Sequence, residues 1–373
     1  MSPEEDRLLA AVRSATHSRD SAAVVALLHP EIDAIVGGER SRAFTGVAFD
    51  AYCRSLLASL GHTRSVRLQI EGICGRSRRR FGDQPWTDIY DGCLLHLEGN
   101  DEAAAACYDL ASRDASVLWP SSRGCRSVIG PRQRDKFLCA RQDGSVGPEG
   151  DPLALEAPAE SGRHVLLAAC DPGYLRRFAP LYIRSAARHG GDCNVHLHIV
   201  NPVADDLDGA RREAGEFRPR LSVSTEVYAG PDARAYYALA RFVRGAQLLE
   251  FYQRPILITD IDAAFTGAVD VFLGANGGPV GLRFKRMDFH AHPWNTVQAN
   301  AVLLRPTEEG LSFARDVSTV SSRLFSQRAG RDVWFIDQNV LFSVYRRYFL
   351  RAAWDFCDLN ADLHNAVIFG KTL

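Results

Sequence analysis

Two carboxylates stand two residues apart at the end of an apolar run, Ile256-Leu257-Ile258-Thr259-Asp260-Ile261-Asp262. In an extended chain residues i and i+2 share a face, so Asp260 and Asp262 project together while Ile261 turns into packing. Carboxylates so close repel unless a cation or hydrogen bonds compensate them. Hard oxygen donors select Mg2+ or Mn2+, and either ion also holds a diphosphate and stabilises the charge on a departing nucleoside diphosphate. The competing reading is a strand-end turn with solvated carboxylates.

Other reactive side chains carry less. The nine cysteines are scattered singly with no Cys-x-x-Cys pair, which disfavours a zinc or iron–sulfur site and fits a reducing compartment. His196 and His198 share one face of a short strand, and two ligands do not close a metal site, so they read as packing under a helix. His290, His292 and Trp294 fall in a polar loop, either a surface loop or the rim of a ligand site.

The metal pair needs a scaffold, and the second half of the chain supplies a strand–helix alternation. Apolar runs at 165–170, 195–200, 221–228 and 256–262 read as strands, and 174–189, 205–215 and 233–252 read as helices. This rhythm predicts an α/β domain with a mostly parallel sheet and helices on both faces, with ligands bound at the C-terminal strand ends. The first half has helical spacing only, at 7–28, 49–60 and 86–112. The stretch 142–161, rich in Gly, Pro, Ser, Asp and Glu, reads as a linker. The expected division is a helical accessory domain over 1–141, a linker over 142–161 and an α/β domain over 162–373.

Four more segments, in order around the acidic pair, resemble the GT-A glycosyltransferases, in particular the retaining bacterial galactosyl- and glucosyltransferases related to glycogenin. HVLLAACDPGYLRRFAPLYIRS (164–185) is similar to that family's opening strand and turn, and YYALARFVRGAQLL (236–249) to its Arg-bearing helix. ANAVLL (299–304) resembles an Asn-Ala-Gly strand, with Val302 in place of Gly, and WFIDQNVLFSVY (334–345) the Asp-Gln helix. The resemblance implies a GT-A-like fold and transfer of a sugar from a nucleotide-sugar donor, a UDP-sugar favoured, to an unknown glycan or protein acceptor with retention. It implies that Asp171 and Tyr174 meet the base, that Arg241 lies near the diphosphate sugar and that Asn300 touches the sugar. Asp337 and Gln338 would line the reacting carbon. Asp260 and Asp262 would bind Mn2+ or Mg2+ with His364 as third ligand, and Lys371 would grip phosphate. The C-terminal His364-to-Lys371 spacing departs from the family's His-x-x-Gly-x-x-Lys loop.

The helix pair over 86–112 resembles one tetratricopeptide repeat, through Gly92, Leu95, Ala104, Tyr108 and Ala111. A lone alanine-rich hairpin is the competing reading. A net charge of −1 argues against a nucleic-acid-binding surface, and no apolar run reaches the roughly 18 residues of a membrane span. The acidic N-terminus is unlike a secretory signal, so the expected location is cytoplasmic. Two rival functions stand beside the transferase. One is a non-catalytic helical-repeat interaction protein with a degenerate transferase fold. The other is a haloacid-dehalogenase-type phosphatase, for which Thr266 falls two positions late.

Overall fold

Ser2 and Glu5 cap each other at the start of the chain. The Ser2 hydroxyl accepts from the Glu5 N–H at 3.2 Å and the Glu5 carboxylate from the Ser2 N–H at 2.8 Å, which satisfies two donors that a helix start leaves open. The computed structural model describes residues 1–113, 120–142, 154–285, 292–328, 333–350, 354–360, 363 and 366–369. The chain forms two compact units, Met1–Arg132 with Lys285–Thr296, and Gln133–Phe284 with Val297–Leu373.

In the first unit the capped helix α1 (Pro3–His17) is followed by α2 (Ser21–Leu28), α3 (Ile32–Gly37), α4 (Arg42–Leu60), α5 (Arg64–Phe81), α6 (Pro85–Leu97) and α7 (Asp101–Ala111). Buried Glu5 also receives the Ser41 N–H at 2.6 Å and hydroxyl at 2.9 Å, and Ser41 in turn caps α4. The α6–α7 hairpin closes on a small-against-large contact: a Cβ on Gly92 would come within 2.9 Å of the Tyr108 ring. The segment Lys285–Thr296 completes this unit's core. Trp294 is fully buried against Gly124, where a Cβ would come within 2.2 Å of the indole. His292 stacks on Trp294 at 4.5 Å and Tyr108 meets the indole edge-on at 5.2 Å. These two residues are therefore core, not a surface loop; His290 lies outside the described residues.

Helix α8 (Pro131–Gln142) begins at the division. The second unit then runs β1 (Ala154–Glu156), β2 (His164–Cys170), α9 (Pro172–His189), β3 (Cys193–Val200), α10 (Ala204–Ala214), β4 (Leu221–Glu226), α11 (Ala233–Val243) and α12 (Gly245–Tyr252). It continues through β5 (Ile256–Thr259), β6 (Ala263–Phe265), α13 (Val269–Ala275) and β7 (Val280–Phe284). After α14 (Pro293–Thr296), which belongs to the helical unit, come β8 (Val297–Leu304), α15 (Glu308–Arg328), α16 (Ile336–Phe349), β9 (Phe356–Asp358) and β10 (Val367–Phe369). Among the described residues no helix is long and apolar enough to cross a membrane.

Eight strands form one sheet in the order β1-β4-β3-β2-β5-β8-β7-β9, with β1 and β8 antiparallel to the other six; β10 pairs with β6 separately. This is the α/β architecture expected, a mostly parallel sheet with helices on both faces. Its central strands are apolar on both sides, as two-sided cover requires. On one face Leu166, Leu257, Ala301 and Leu303 pack with Tyr182 and Phe265. On the other, Ile258, Val302 and Leu304 line a small apolar cavity together with Phe242, Phe313, Val317 and Leu341. Each fully buried side chain of this kind contributes about 1.5–3 kcal/mol.

The structure redraws several boundaries. Of the stretch 142–161, residues 154–156 form the edge strand β1 against β4, and 143–153 lie outside the described residues. The helix expected over 233–252 is two, broken at Arg244. The strand expected to reach Asp262 stops at Thr259.

Candidate active site

Strand β5 ends on an alternation that sends consecutive residues to opposite faces. The Thr259 hydroxyl lies 2.8 Å from the Tyr182 hydroxyl on the α9 side. Asp260 therefore turns to the other face, where α11 presents Arg241. That guanidinium is buried at 3% exposure; it donates to the Thr259 carbonyl at 3.2 Å, pairs with the Asp260 carboxylate, and reaches Asp337 Oδ2 at 3.4 Å. The buried Nε of Arg241 has no hydrogen-bond partner among the described residues.

Asp260 and Asp262 sit in a turn, closed by Ala263 N–H donating to the Asp260 carbonyl at 3.1 Å, rather than along a strand. The i,i+2 strand argument thus fails in detail. Ile261 between them does enter the core at 4% exposure, as expected. Both carboxylates act on Arg241. Burial works against its charge, and Asp260, Asp337 and Asp262 outweigh that and raise its pKa. A buried cation held by anions from three directions is fixed in place.

Asp337 lies in the first turn of α16, where its Oδ1 accepts the Gln338 N–H at 2.8 Å. Burial raises its carboxyl above the ordinary value; Arg241 opposes this and Asp260 adds to it. Phe335, just before the helix, takes a left-handed φ of 65°, a strained conformation for an aromatic residue of the kind that gathers at functional sites. Gln338 is half-buried beside Asp337.

Asn300 approaches from β8. The antiparallel register ends on the Thr259–Ala301 pair, which Asp260 follows on one chain segment and Asn300 precedes on the other. Asn300 Oδ1 is buried and has no hydrogen-bond partner among the described residues, an acceptor left open. Arg283 on β7 also feels the Asp260 charge: burial lowers its pKa and Asp260 opposes the shift.

The structure thus brings Arg241, Asp260, Asp262 and Asp337 into one electrostatic group at the C-terminal end of a parallel strand. Asp171 and Tyr174 stand at the end of the neighbouring strand β2 and act locally. The Asp171 carboxylate caps α9 by accepting the Tyr174 N–H at 2.7 Å, and the Tyr174 ring is exposed beside Phe178. His364 and Lys371 lie outside the described residues. Among the described residues no three or more His, Cys, Asp or Glu gather as a metal site. The donor chemistry of Asp260 and Asp262, with the open Asn300 oxygen across the register, fits a hard divalent cation that keeps water or phosphate ligands. Sequence reasoning missed Thr259, Arg283, Glu226 and Arg244. The last two form a buried ion pair at the end of β4, and a charged residue closing an otherwise buried strand was the available signal.

No protein-family model matches the chain, and no curated protein matches it. Solved structures match weakly. The galactosyltransferase LgtC in complex with donor and acceptor sugar analogs is 15% identical over 49% of this chain and 70% of its own, with a TM-score of 0.36. The apo-form glycosyltransferase GlyE of Streptococcus pneumoniae TIGR4 is 16% identical over 53% of this chain and 46% of its own, TM-score 0.36. The mannosyltransferase PcManGT from Pyrobaculum calidifontis, in complex with GDP-Man and Mn2+, is 12% identical over 69% of this chain and 66% of its own, TM-score 0.31. This chain spans about half the length of GlyE. Likeness at that level leaves the functional reading to the site itself.

Proposed function

We propose that the α/β unit is a GT-A-like glycosyltransferase that moves a sugar from a nucleotide-sugar donor to a hydroxyl acceptor with retention. One observation carries the reading: Arg241, Asp260 and Asp337 converge from three separate elements on the C-terminal end of β5, where open α/β sheets bind their ligands. Open acceptors, a buried cation and like-charged carboxylates are what a diphosphate and its counter-ion would complete.

Asp260 and Asp262 would hold a divalent cation, Mn2+ or Mg2+, which when bound neutralises the leaving diphosphate. Arg241, already fixed by the protein, presents its guanidinium to the same departing charge without reorganising. Asp337 and Gln338 flank the reacting carbon and orient the sugar, with Asn300 offering an acceptor to a sugar hydroxyl. The bond from the anomeric carbon to the diphosphate oxygen breaks as the acceptor oxygen bonds from the same side. The acceptor proton passes to the departing phosphate oxygen. Gln338 is a poor nucleophile, so this front-face path is preferred over a covalent glycosyl intermediate. His364 and Lys371 are proposed as third metal ligand and phosphate contact, and Asp171 and Tyr174 as the nucleobase site. The helical unit is read as an accessory domain.

Neither rival gains support. In a dehalogenase-type phosphatase the first Asp attacks phosphate, whereas here Asp260 is occupied by Arg241. Titration of the purified protein with UDP and Mn2+, followed by hydrolysis of a panel of nucleotide sugars, tests the proposal. Metal-dependent nucleotide binding and hydrolysis of one donor are expected. Absence of metal-dependent binding to any nucleotide of the panel would sink it.

A further inference from the structure

Strands β3 and β4 carry a row of polar side chains on the face that Tyr252 and Arg244 cover. His196 pairs with Ser222 and His198 with Ser224 in the parallel register, and all four side chains are fully buried. The Tyr252 hydroxyl lies 2.8 Å from His196 Nδ1, and His196 Nε2 lies 2.8 Å from Ser224 Oγ. Ser224 Oγ is 2.7 Å from His198 Nδ1, and His198 Nε2 stands 3.2 Å from Glu226 Oε1, off the line of a straight hydrogen bond. The other oxygen, Glu226 Oε2, takes Arg244 Nε at 2.7 Å and Nη2 at 2.6 Å. The two buried histidines therefore belong to a hydrogen-bonded row.

The row ends on the Glu226 carboxylate. Ser224 Oγ stands between His196 Nε2 and His198 Nδ1 and so joins the two rings. His196 Nδ1 meets both the Tyr252 hydroxyl and, at 3.0 Å, Ser222 Oγ. Burial, with His198 adding to it, holds His196 down to about 3, so its ring is neutral near pH 7. Glu226 is thus fixed in one orientation, with one oxygen turned to the row and one to Arg244.

Arg244 is the residue at the break between α11 and α12, one helical turn after Arg241. It is itself buried. We propose that Glu226 is a positioning residue for Arg241: by gripping Arg244 it fixes the α11–α12 break, and with it the aim of the Arg241 guanidinium at Asp260 and Asp337. The proposal rests on Arg241 being an active-site residue. A misplacement of about 1 Å at a reacting centre lowers rate on the order of 100-fold, so a clamp one turn away is enough to matter.

The full-length chain carrying Glu226→Gln tests this, with Arg244→Lys as a second variant that keeps the charge and loses the planar fork. Turnover of the nucleotide sugar that the wild type hydrolyses fastest and the Kd for UDP with Mn2+ are measured, in the wild-type and in an Arg241→Lys background. The expected result is a kcat about 10-fold lower or more with Kd held within about 3-fold, and a much smaller further loss on Arg241→Lys, since the effect runs through Arg241. Glu226→Asp is expected to restore part of kcat. Equal losses in both backgrounds, or full activity, would overturn the proposal. A crystal structure of either variant reads the same point without turnover: Arg241 displaced from Asp260 supports it, and an unmoved guanidinium overturns it. If the wild type hydrolyses no nucleotide sugar, the glycosyltransferase reading falls, while the crystal structure still decides the positioning role.

Discussion

Arg241 is a buried cation, and its three anionic neighbours are what make it tolerable inside the fold. Replacing Asp262 by Asn leaves the Arg241–Asp260 pair in place, so the variant is expected to fold and to lose turnover; a fully active Asp262→Asn enzyme would remove the metal from the mechanism. Asp337 behaves differently. Its carboxyl is raised by burial, so its charge weakens the folded state once pH exceeds the raised value and does not below about 3.8. The stability that wild type loses as pH rises from about 3.8 through the raised value should be missing from the pH profile of Asp337→Asn, which also loses turnover; an identical profile would contradict this. Glu226 has the opposite sign. Burial works to raise its carboxyl, but His198 and Arg244 hold it at about 2 against an ordinary 4.5. Its contribution is present above about pH 4.5 and disappears as pH falls toward 2. Urea midpoints that drop over that window in wild type should drop less in Glu226→Gln. The residues that the sequence made legible are those with a local pattern: Asp260 and Asp262 after an apolar run, Arg241 and Asp337 on amphipathic helices. Glu226 and Arg244 lie eighteen residues apart and meet only through the sheet and the helix over it, which no local spacing reveals.

The elements divide along the same line. Strands β2 to β5 were legible because a buried parallel strand is a continuous apolar run with few alternatives. The break at Arg244 was not, since the residues around it, Phe242-Val243-Arg244-Gly245-Ala246, keep a helical apolar spacing, and a buried ion pair marks the break. The strand β1 was hidden in a stretch whose composition reads as linker; it is an edge strand of three residues that adds little burial. Helix α5 went unread because charged and apolar residues alternate closely along it. In the α6–α7 hairpin, Gly92 serves close approach rather than turning, and its helix position tolerates a side chain only if Tyr108 moves. Gly92→Ala is expected to destabilise the helical unit by about 1–3 kcal/mol through overpacking, despite the better helix propensity of Ala. Chemical denaturation of the full chain checks this, and a stabilised variant would show that the ring gives way freely.

For the whole molecule, the unexpected finding is where the helical unit keeps its centre. Trp294, far along the chain from the helices it supports, fills the space left by Gly124 and touches Tyr108 and His292. Trp294→Ala is expected to lower stability by about 3–5 kcal/mol, as for other large aromatic truncations in a core. A melting curve in which the helical signal is unchanged would contradict it. A fragment of residues 1–132 lacks this side chain and should be less stable than the same helices in the full chain.

That dependence has an effect in time as well as in space. Helices α1 to α7 leave the ribosome before the segment that closes their core, and the 173 residues from 112 to 284 lie between. At about 5–20 residues per second, the nascent helical unit waits on the order of 10 seconds or more for its tryptophan. During that interval its buried aromatic face stands open to the cell. A bundle left unfinished for that long is open to aggregation and chaperone capture, a demand that the finished fold alone would not disclose.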